Sequence, residues 1–482
     1  MKLEMLLQDV EVLEVSADLA MDIQNMTFDS RKVQPGDLFM AISGFATDGN
    51  RFIPGAMEKG AAVVVTARKP EQEVPYVLVA SDRMAMAQIA ANLYGHPAKK
   101  LCLIGVTGTN GKTTVTLLVK HILETVRGAK VGLIGTMENL IGDQAVPTER
   151  TTPESPDLQA LFARMVDAGC TYAIMEVSSH ALELERVGGV HYDVAAFTNL
   201  TEDHLDFHKT MEAYCDAKAK LFARCHTAVV NADDPWYSRI CAAGTCPVMT
   251  TGVEQKATLM AKDPVLLSDG IRFTAVYGKQ QVPIELPIPG GFTVYNALTV
   301  LGIALRLGIS LEESACALKT AKGVKGRVEV VPTPGTDYTV LIDYAHTPDG
   351  LENVLSSVKG YCKGRLIAVF GCGGDRDPVK RPIMGGIGAR IADIAVITSD
   401  NPRTEDPHAI IRDILQGVED RSNCAVIENR VEAIRYAMDI AEKDDIIVLA
   451  GKGHETYQEI CGVKNHLDER EEVARYLNET RN

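Results

Sequence analysis

The chain has 482 residues, with 49 Lys plus Arg against 64 Asp plus Glu, a formal net charge of −15 and a pI near 5.3. That length accommodates roughly two to four domains, and a composition 46% hydrophobic and 23% charged excludes a disordered or fibrous chain. The acidity also argues against broad adhesion to nucleic acid or to an anionic membrane, either of which needs a basic face.

Met1-Lys2-Leu3-Glu4 lacks the basic start and apolar core of a signal peptide. No apolar run approaches the ~18 residues of a spanning helix, so the expected compartment is the cytoplasm, without membrane insertion. The eleven cysteines are an odd number, scattered, without a C-x-x-C pair, and read as reduced thiols rather than a metal or disulfide framework.

Residues 1–97 predict a small mixed α/β domain. Ala61 to Val65 and Val77 to Val79 read as strands and Met84 to Tyr94 as a helix, ended by Tyr94-Gly95-His96-Pro97. Residues 98–326 take the rhythm of a largely parallel sheet covered by helices. Strands are expected at Leu101 to Val106, Val131 to Ile134, Tyr172 to Met175, Val194 to Phe197 and Ala228 to Val230, with a helix over Thr113 to Val126. Residues 327–482 repeat the alternation. Strands at Thr339 to Ile342, Leu366 to Phe370, Ile394 to Thr398 and Ile446 to Ala450, with helices at Pro407 to Val418 and Val431 to Glu442, predict a second, Rossmann-like doubly wound domain.

Between the first long strand and helix of the central stretch stands Thr107-Gly108-Thr109-Asn110-Gly111-Lys112-Thr113-Thr114. Backbone N–H groups and a helix N-terminus face an anion there, Lys112 suits β/γ-phosphates, and the Thr113 hydroxyl suits Mg²⁺. The strict phosphate-loop template is not met, because its first glycine falls on Val106. The G-K-T-T core in a strand–loop–helix context still predicts nucleotide binding rather than a chance glycine-rich turn.

Two further strand ends carry polar clusters. Glu176, in Met175-Glu176-Val177-Ser178-Ser179-His180, is placed to reach a hard cation or its water, or else is a solvated strand-end carboxylate. In Asn199-Leu200-Thr201-Glu202-Asp203-His204-Leu205-Asp206-Phe207-His208, His204 can offer a ring nitrogen to the same metal; helix capping by Thr201 or Asp203 is the alternative for part of that cluster. Lys218 reads as an exposed helix lysine.

Together these motifs resemble the Mur ligase family, ATP-dependent amide-forming enzymes of peptidoglycan precursor synthesis, over the full length of the chain. Asp29-Ser30-Arg31, Pro35-Gly36-Asp37-Leu38-Phe39 and Asp343-Tyr344-Ala345-His346-Thr347-Pro348-Asp349 add to the likeness. The resemblance implies ATP and Mg²⁺, with Gly108, Thr109, Asn110, Gly111, Lys112, Thr113, Thr114, Asn296, Arg327 and Asp343 at the nucleotide. It implies a catalytic set of Lys112, Glu176, His204 and Lys218. The metal ligands would be Thr113, Glu176, His204 and Lys218, the last as a carbamate. Ser30, Thr151, Thr152, Ser178 and Arg186 would bind a UDP-muramoyl dipeptide, an arginine suiting phosphate or carboxylate by its bidentate fork.

In the last domain, Asp400-Asn401-Pro402-Arg403 is on its own a good turn with a flanking ion pair. The resemblance reads it as the mark of diaminopimelate-adding members, which use the arginine on the amino acid's second carboxylate; lysine-adding members lack it. Arg376, Gly451 and Glu455 match the remaining contacts to that amino acid. Gly451-Lys452-Gly453-His454-Glu455 is not a second phosphate loop, since no Ser or Thr follows the lysine. Two positions depart from the family pattern: Thr293 where asparagine is common, and Leu184 where some members carry a glutamine beside the substrate arginine. The implied protein is a monomer acting on small molecules alone, with the lysine-adding ligase and a nucleotide-switched ATPase as rival readings.

Overall fold

In the computed structural model, residues 1–480 are described except 45, 46, 149 and 268, and the chain divides into two compact units, Met1–Thr250 and Thr251–Asn482.

The first unit holds two sheets. β1 (Val12–Val15), β2 (Met26–Thr27), β3 (Leu38–Ala41), β4 (Val63–Thr66) and β5 (Tyr76–Val79) form one in the order β1-β5-β4-β3-β2, parallel except for β1. β3 and β4 are buried at every position, as the unbroken apolar runs Leu-Phe-Met-Ala and Val-Val-Val require when both faces are covered. The helix Asp82–Leu93 starts on a Ser81 hydroxyl that accepts from Met84 N, and packs Met86, Ile89 and Ala90 against this sheet's core.

The second sheet contains β6 (Cys102–Thr107), β7 (Val131–Ile134), β8 (Asn139–Ile141), β9 (Gln144–Val146), β10 (Tyr172–Glu176), β11 (Tyr192–Phe197) and β12 (Cys225–Asn231), ordered β12-β11-β6-β10-β7-β8-β9. From β12 to β7 the pairings are parallel. β6 thus lies between β10 and β11, and the loops leaving the carboxyl ends of all three converge, which is where open α/β sheets take ligands.

β13 (Val248–Gly252) reaches the division between the units. In the second unit, β14 (Leu259–Leu267), β15 (Gly270–Tyr277) and β16 (Gln280–Leu286) form an antiparallel meander, and β16 alternates buried and exposed residues. β17 (Glu329–Val331), β18 (Thr339–Asp343), β19 (Leu366–Phe370), β20 (Ile394–Ile397), β21 (Cys424–Val426) and β22 (Ile446–Ala450) build a sheet ordered β17-β18-β22-β19-β20-β21, parallel apart from β17. Cores lie on both of its faces, one around Leu351, Phe370 and Met384, the other around Ile342, Val369 and Ile434. That two-sided burial explains why its central strands read as unbroken apolar runs. The small hairpin β23 (Tyr457–Ile460) and β24 (Val463–His466) follows. The helices end earlier than their sequence patterns, at Leu415 and Asp439 rather than Val418 and Glu442.

Candidate active site

The loop after β6 turns at Gly108, whose added Cβ would stand 1.9 Å from Thr198 Oγ1 and 3.1 Å from the Asn199 carbonyl, so only glycine fits there. Thr109 N donates to Asn199 O at 2.8 Å, and Asn110 N donates to Asn199 Oδ1 at 2.9 Å, tying the loop to the end of β11. Gly111 then opens the helix Lys112–Arg127 in the left-handed region, φ 85°, without a side-chain cap, so the helix start presents N–H donors toward an anion. Lys112 Nζ donates to Gly108 O at 2.9 Å and to Thr109 O at 2.8 Å, and Thr114 is buried beside Thr113.

Thr113 Oγ1 donates to Glu176 Oε1 at 2.9 Å. The Glu176 carboxylate, at the end of β10, also accepts from Thr136 N and from Thr136 Oγ1, both at 3.0 Å, which fixes its orientation although it is buried. A hydroxyl and a carboxylate oxygen this close are a hard donor pair, and they fit Mg²⁺, which prefers oxygen ligands. Thr136 was not legible as a partner, because it follows β7 as an ordinary polar turn residue.

Lys218 overturns its reading as an exposed helix lysine. On the helix Met211–Ala219 it is 2% exposed, because its face of the helix turns toward the phosphate loop rather than toward water. Its Nζ donates to Gly108 O at 2.8 Å and lies 4.5 Å from the centre of the Tyr214 ring. Burial, and then the charge of Lys112, hold its pKa well below the usual lysine value, favouring the neutral amine.

His204 is half-exposed, with Nε2 3.5 Å from Asp203 Oδ2, and its ring meets His180 edge-on at 4.8 Å. Burial lowers its pKa, opposed by Asp203 and aided by Lys218 and Lys112, so a neutral ring nitrogen is favoured. Neither Thr201 nor Asp203 caps the short helix Leu205–His208: His204 is its N-cap, without a side-chain cap bond. Among the described residues no three His, Cys, Asp or Glu side chains gather as a metal cluster.

Thr151, Thr152, Ser178 and Arg186 come together beside Glu176. Thr152 Oγ1 donates to Glu176 O at 2.8 Å and accepts from Ser178 N at 3.1 Å, while the Thr151 hydroxyl meets that of Thr136 at 3.0 Å. Arg186 Nη1 approaches Thr152 O at 3.4 Å, and its Nε lies 2.9 Å from Glu154 Oε1. Glu154, a residue without a motif to mark it, therefore sets the arginine's position. Ser30 stands on the loop after β2, its carbonyl accepting from Lys59 Nζ at 2.9 Å.

In the second unit, Asn296 is buried in the helix Gly291–Arg306. Arg327 places its guanidinium 5.0 Å from the centre of the Tyr344 ring. Asp343, at the end of β18, accepts from Val328 N and Ala345 N, both at 2.8 Å, and burial raises its pKa.

The amino-acid residues implied by the sequence lie at the carboxyl ends of β19, β20 and β22. Asn401 Nδ2 donates to Glu455 Oε2 at 2.9 Å, and Asn401 Oδ1 accepts from Lys452 Nζ at 3.0 Å and from Glu459 N at 2.9 Å. Lys452 is fully buried, with Asp400 Oδ1 and Glu455 Oε2 each 3.5 Å from its ammonium. Gly451, at φ 115°, leaves no room for a side chain, since a Cβ would meet Asp400 Oδ2 at 2.6 Å. Pro402 is buried, Arg403 Nη1 donates to Gly374 O at 2.7 Å, and its Nε lies 3.3 Å from Glu459 Oε2. Arg376 is exposed on the loop after β19, its Nη1 donating to Asp375 O at 3.2 Å. Lys452 was the residue missed here, its only signal being its place between two glycines.

Three family patterns match the chain: the Mur ligase family catalytic domain over residues 22–94, the Mur ligase middle domain over 106–304, and the Mur ligase glutamate ligase domain over 326–453. The chain is 48% identical to a UDP-N-acetylmuramoyl-L-alanyl-D-glutamate–2,6-diaminopimelate ligase of Clostridium acetobutylicum, over 99% of this chain and 100% of that one. It is 49% identical to the ligase of the same name from Caldanaerobacter subterraneus, over 97% of each. A solved structure of a ligase of that name superposes with a TM-score of 0.74 at 31% identity, covering 100% of this chain and 99% of the other. No helix among the described residues is long and apolar enough to cross a membrane. The chain belongs to the Mur ligase family.

Proposed function

We propose that the chain joins meso-2,6-diaminopimelate to UDP-N-acetylmuramoyl-L-alanyl-D-glutamate at the expense of ATP, as an ADP-forming peptide ligase of cytoplasmic peptidoglycan precursor synthesis. One observation carries the choice of amino acid. Glu455 accepts from Asn401, and Arg403 lies against Glu459, whose N–H donates to the same Asn401: an anion and a cation suited to the ammonium and carboxylate of an amino-acid end. Lysine lacks that second carboxylate, so it forgoes the bidentate contact that Arg403 would make with it.

In this reading residues 1–97 bind the UDP-sugar, 98–326 the ATP and 327–482 the amino acid, in a monomer. The loop from Gly108 to Thr114 aligns the triphosphate, and Lys112 leaves its carbonyl partners to meet charge on the transferring phosphoryl group. The ATP β–γ bridging bond breaks as a carboxylate oxygen of the D-glutamyl residue takes the phosphoryl group, and ADP departs. The amine of diaminopimelate attacks the acyl carbon, losing a proton, and inorganic phosphate leaves. Thr113, Glu176, His204 and carbamylated Lys218 would hold Mg²⁺, which supplies charge neutralisation for the phosphates. Burial favours the uncharged Lys218 amine, which is the form that adds carbon dioxide. The family resemblance assigns Asn296, Arg327 and Asp343 to the nucleotide as well.

The test is turnover of UDP-muramoyl dipeptide and ATP with each amino acid in turn. ADP release that needs both the dipeptide and diaminopimelate supports the reading. Equal turnover with lysine would overturn the role of Arg403, and phosphate release without either co-substrate would favour a nucleotide switch.

A further inference from the structure

Beside the Thr151, Thr152 and Ser178 cluster, three guanidiniums face one carboxylate. Arg150 Nη1 lies 2.6 Å from Glu154 Oε1, Arg186 Nε 2.9 Å from the same oxygen, and Arg83 Nη1 3.4 Å from Oε2. Glu154 is 9% exposed at its side chain and stands at the N-cap of the helix Ser155–Asp167, where the helix dipole already favours negative charge. One carboxylate cannot neutralise three arginines, so positive charge is in excess in a partly buried place. Arg186 is also short of a partner: its Nε N–H is not aimed at the nearby Glu154 oxygen, and this buried donor makes no hydrogen bond. Arg83 reaches across to the Leu184 carbonyl at 3.3 Å, at a position whose own side chain can donate nothing.

The D-glutamyl residue of the proposed substrate carries two carboxyl groups, of which one is consumed in the reaction and the other stays ionised. We propose that Arg83 and Arg150 join Arg186 in a three-guanidinium subsite for that unreacting carboxylate, with Glu154 holding the forks aligned. The subsite rests on the reading given under Proposed function. Planar guanidiniums give it directional, bidentate recognition of a carboxylate, which an amide of the same shape cannot match.

The experiment compares wild type, Arg83→Gln, Arg150→Gln and Arg83→Lys on UDP-muramoyl dipeptide and on its analogue with the unreacting carboxylate converted to an amide. The KM for the acid substrate rises roughly tenfold to a hundredfold in each glutamine variant, while the KM values for ATP and diaminopimelate hold. The wild type's preference for acid over amide shrinks by the same factor, and Arg83→Lys restores part of it. Unchanged KM values, or equal losses on acid and amide, overturn the subsite and leave the functional reading standing. Absence of any wild-type turnover of the dipeptide overturns the functional reading, and the subsite with it. Arg150 is half-exposed, so its variant tests recognition without risk to the core.

Discussion

The two loop clusters treat positive charge in opposite ways. At the phosphate loop, Lys112 and Lys218 both donate to the Gly108 carbonyl, a neutral acceptor, and the charge of Lys112 adds to burial in favouring the uncharged Lys218 amine. At the ends of β20 and β22, Lys452 sits among Asp400, Asn401 and Glu455, and Arg403 lies beside Glu459. The first cluster is an electrostatic deficit that phosphates and a lysine carbamate would fill. The second is assembled beforehand, and its charges already support one another. Binding to the first should bring anionic charge to amines that rest on neutral carbonyls, whereas binding to the second should use a geometry already in place.

The largest effect should come from disturbing the shared acceptor. Gly108→Ala puts a methyl group on Thr198 Oγ1 and displaces the carbonyl that holds both lysines. ADP formation should fall by about a hundredfold or more, since displacement of roughly 1 Å in a positioning element costs that much. Far-ultraviolet circular dichroism should be unchanged. Activity within a few-fold of wild type would show that the carbonyl does not organise the loop.

Next is the preassembled side. Arg403→Ala should raise the KM for diaminopimelate by roughly tenfold to a hundredfold and leave the KM for ATP nearly intact. Equal loss of both would contradict the assignment of the two clusters to different substrates.

The same contrast decides what could be read from sequence. β6, β10, β18, β19, β20 and β22 were legible because a strand buried on both faces must be apolar throughout, and Glu176 and the phosphate loop were legible because they sit at the ends of such strands. The meander β14 to β16 drew no strand assignment, although β16 alternates cleanly. Lys218 was misread because a helix lysine is ordinarily solvated; its burial arises from tertiary packing against a loop about 110 residues away. Glu154 and Lys452 were missed for the same reason, as their partners lie far along the chain or within a string too short to show a pattern. Resemblance to a family pointed to Lys218 where periodicity could not.

Replacing lysine by methionine on each side separates the clusters by stability rather than activity. Lys452→Met leaves Asp400 and Glu455 in a buried site without their shared cation, which should destabilise the second unit by about 3–5 kcal/mol. Lys112→Met removes a charge that leans on carbonyls, and should abolish turnover with little change in the denaturation midpoint. Urea titrations of both variants check this; a Lys452→Met protein as stable as wild type would mean the network is not energetically coupled.

The smallest effect is a pH dependence in the same preassembled region. The His454 ring lies 5.0 Å from Tyr344, its Nδ1 is buried without a hydrogen-bond partner, and burial together with Arg327, Lys325 and Arg470 lowers its pKa to about 4. In the unfolded chain the ring titrates near its ordinary value of about 6.5. Between those values the unfolded state binds a proton that the folded state refuses, so stability contributed by the neutral ring is present above about pH 6.5 and is lost as the pH falls toward 4. His454→Gln keeps a neutral polar side chain and removes the titration. Urea midpoints taken from pH 7 down to pH 4 should therefore fall less steeply in the variant than in wild type. Parallel slopes would show that the ring takes its proton in the folded protein, and that the cations around it do not hold it neutral.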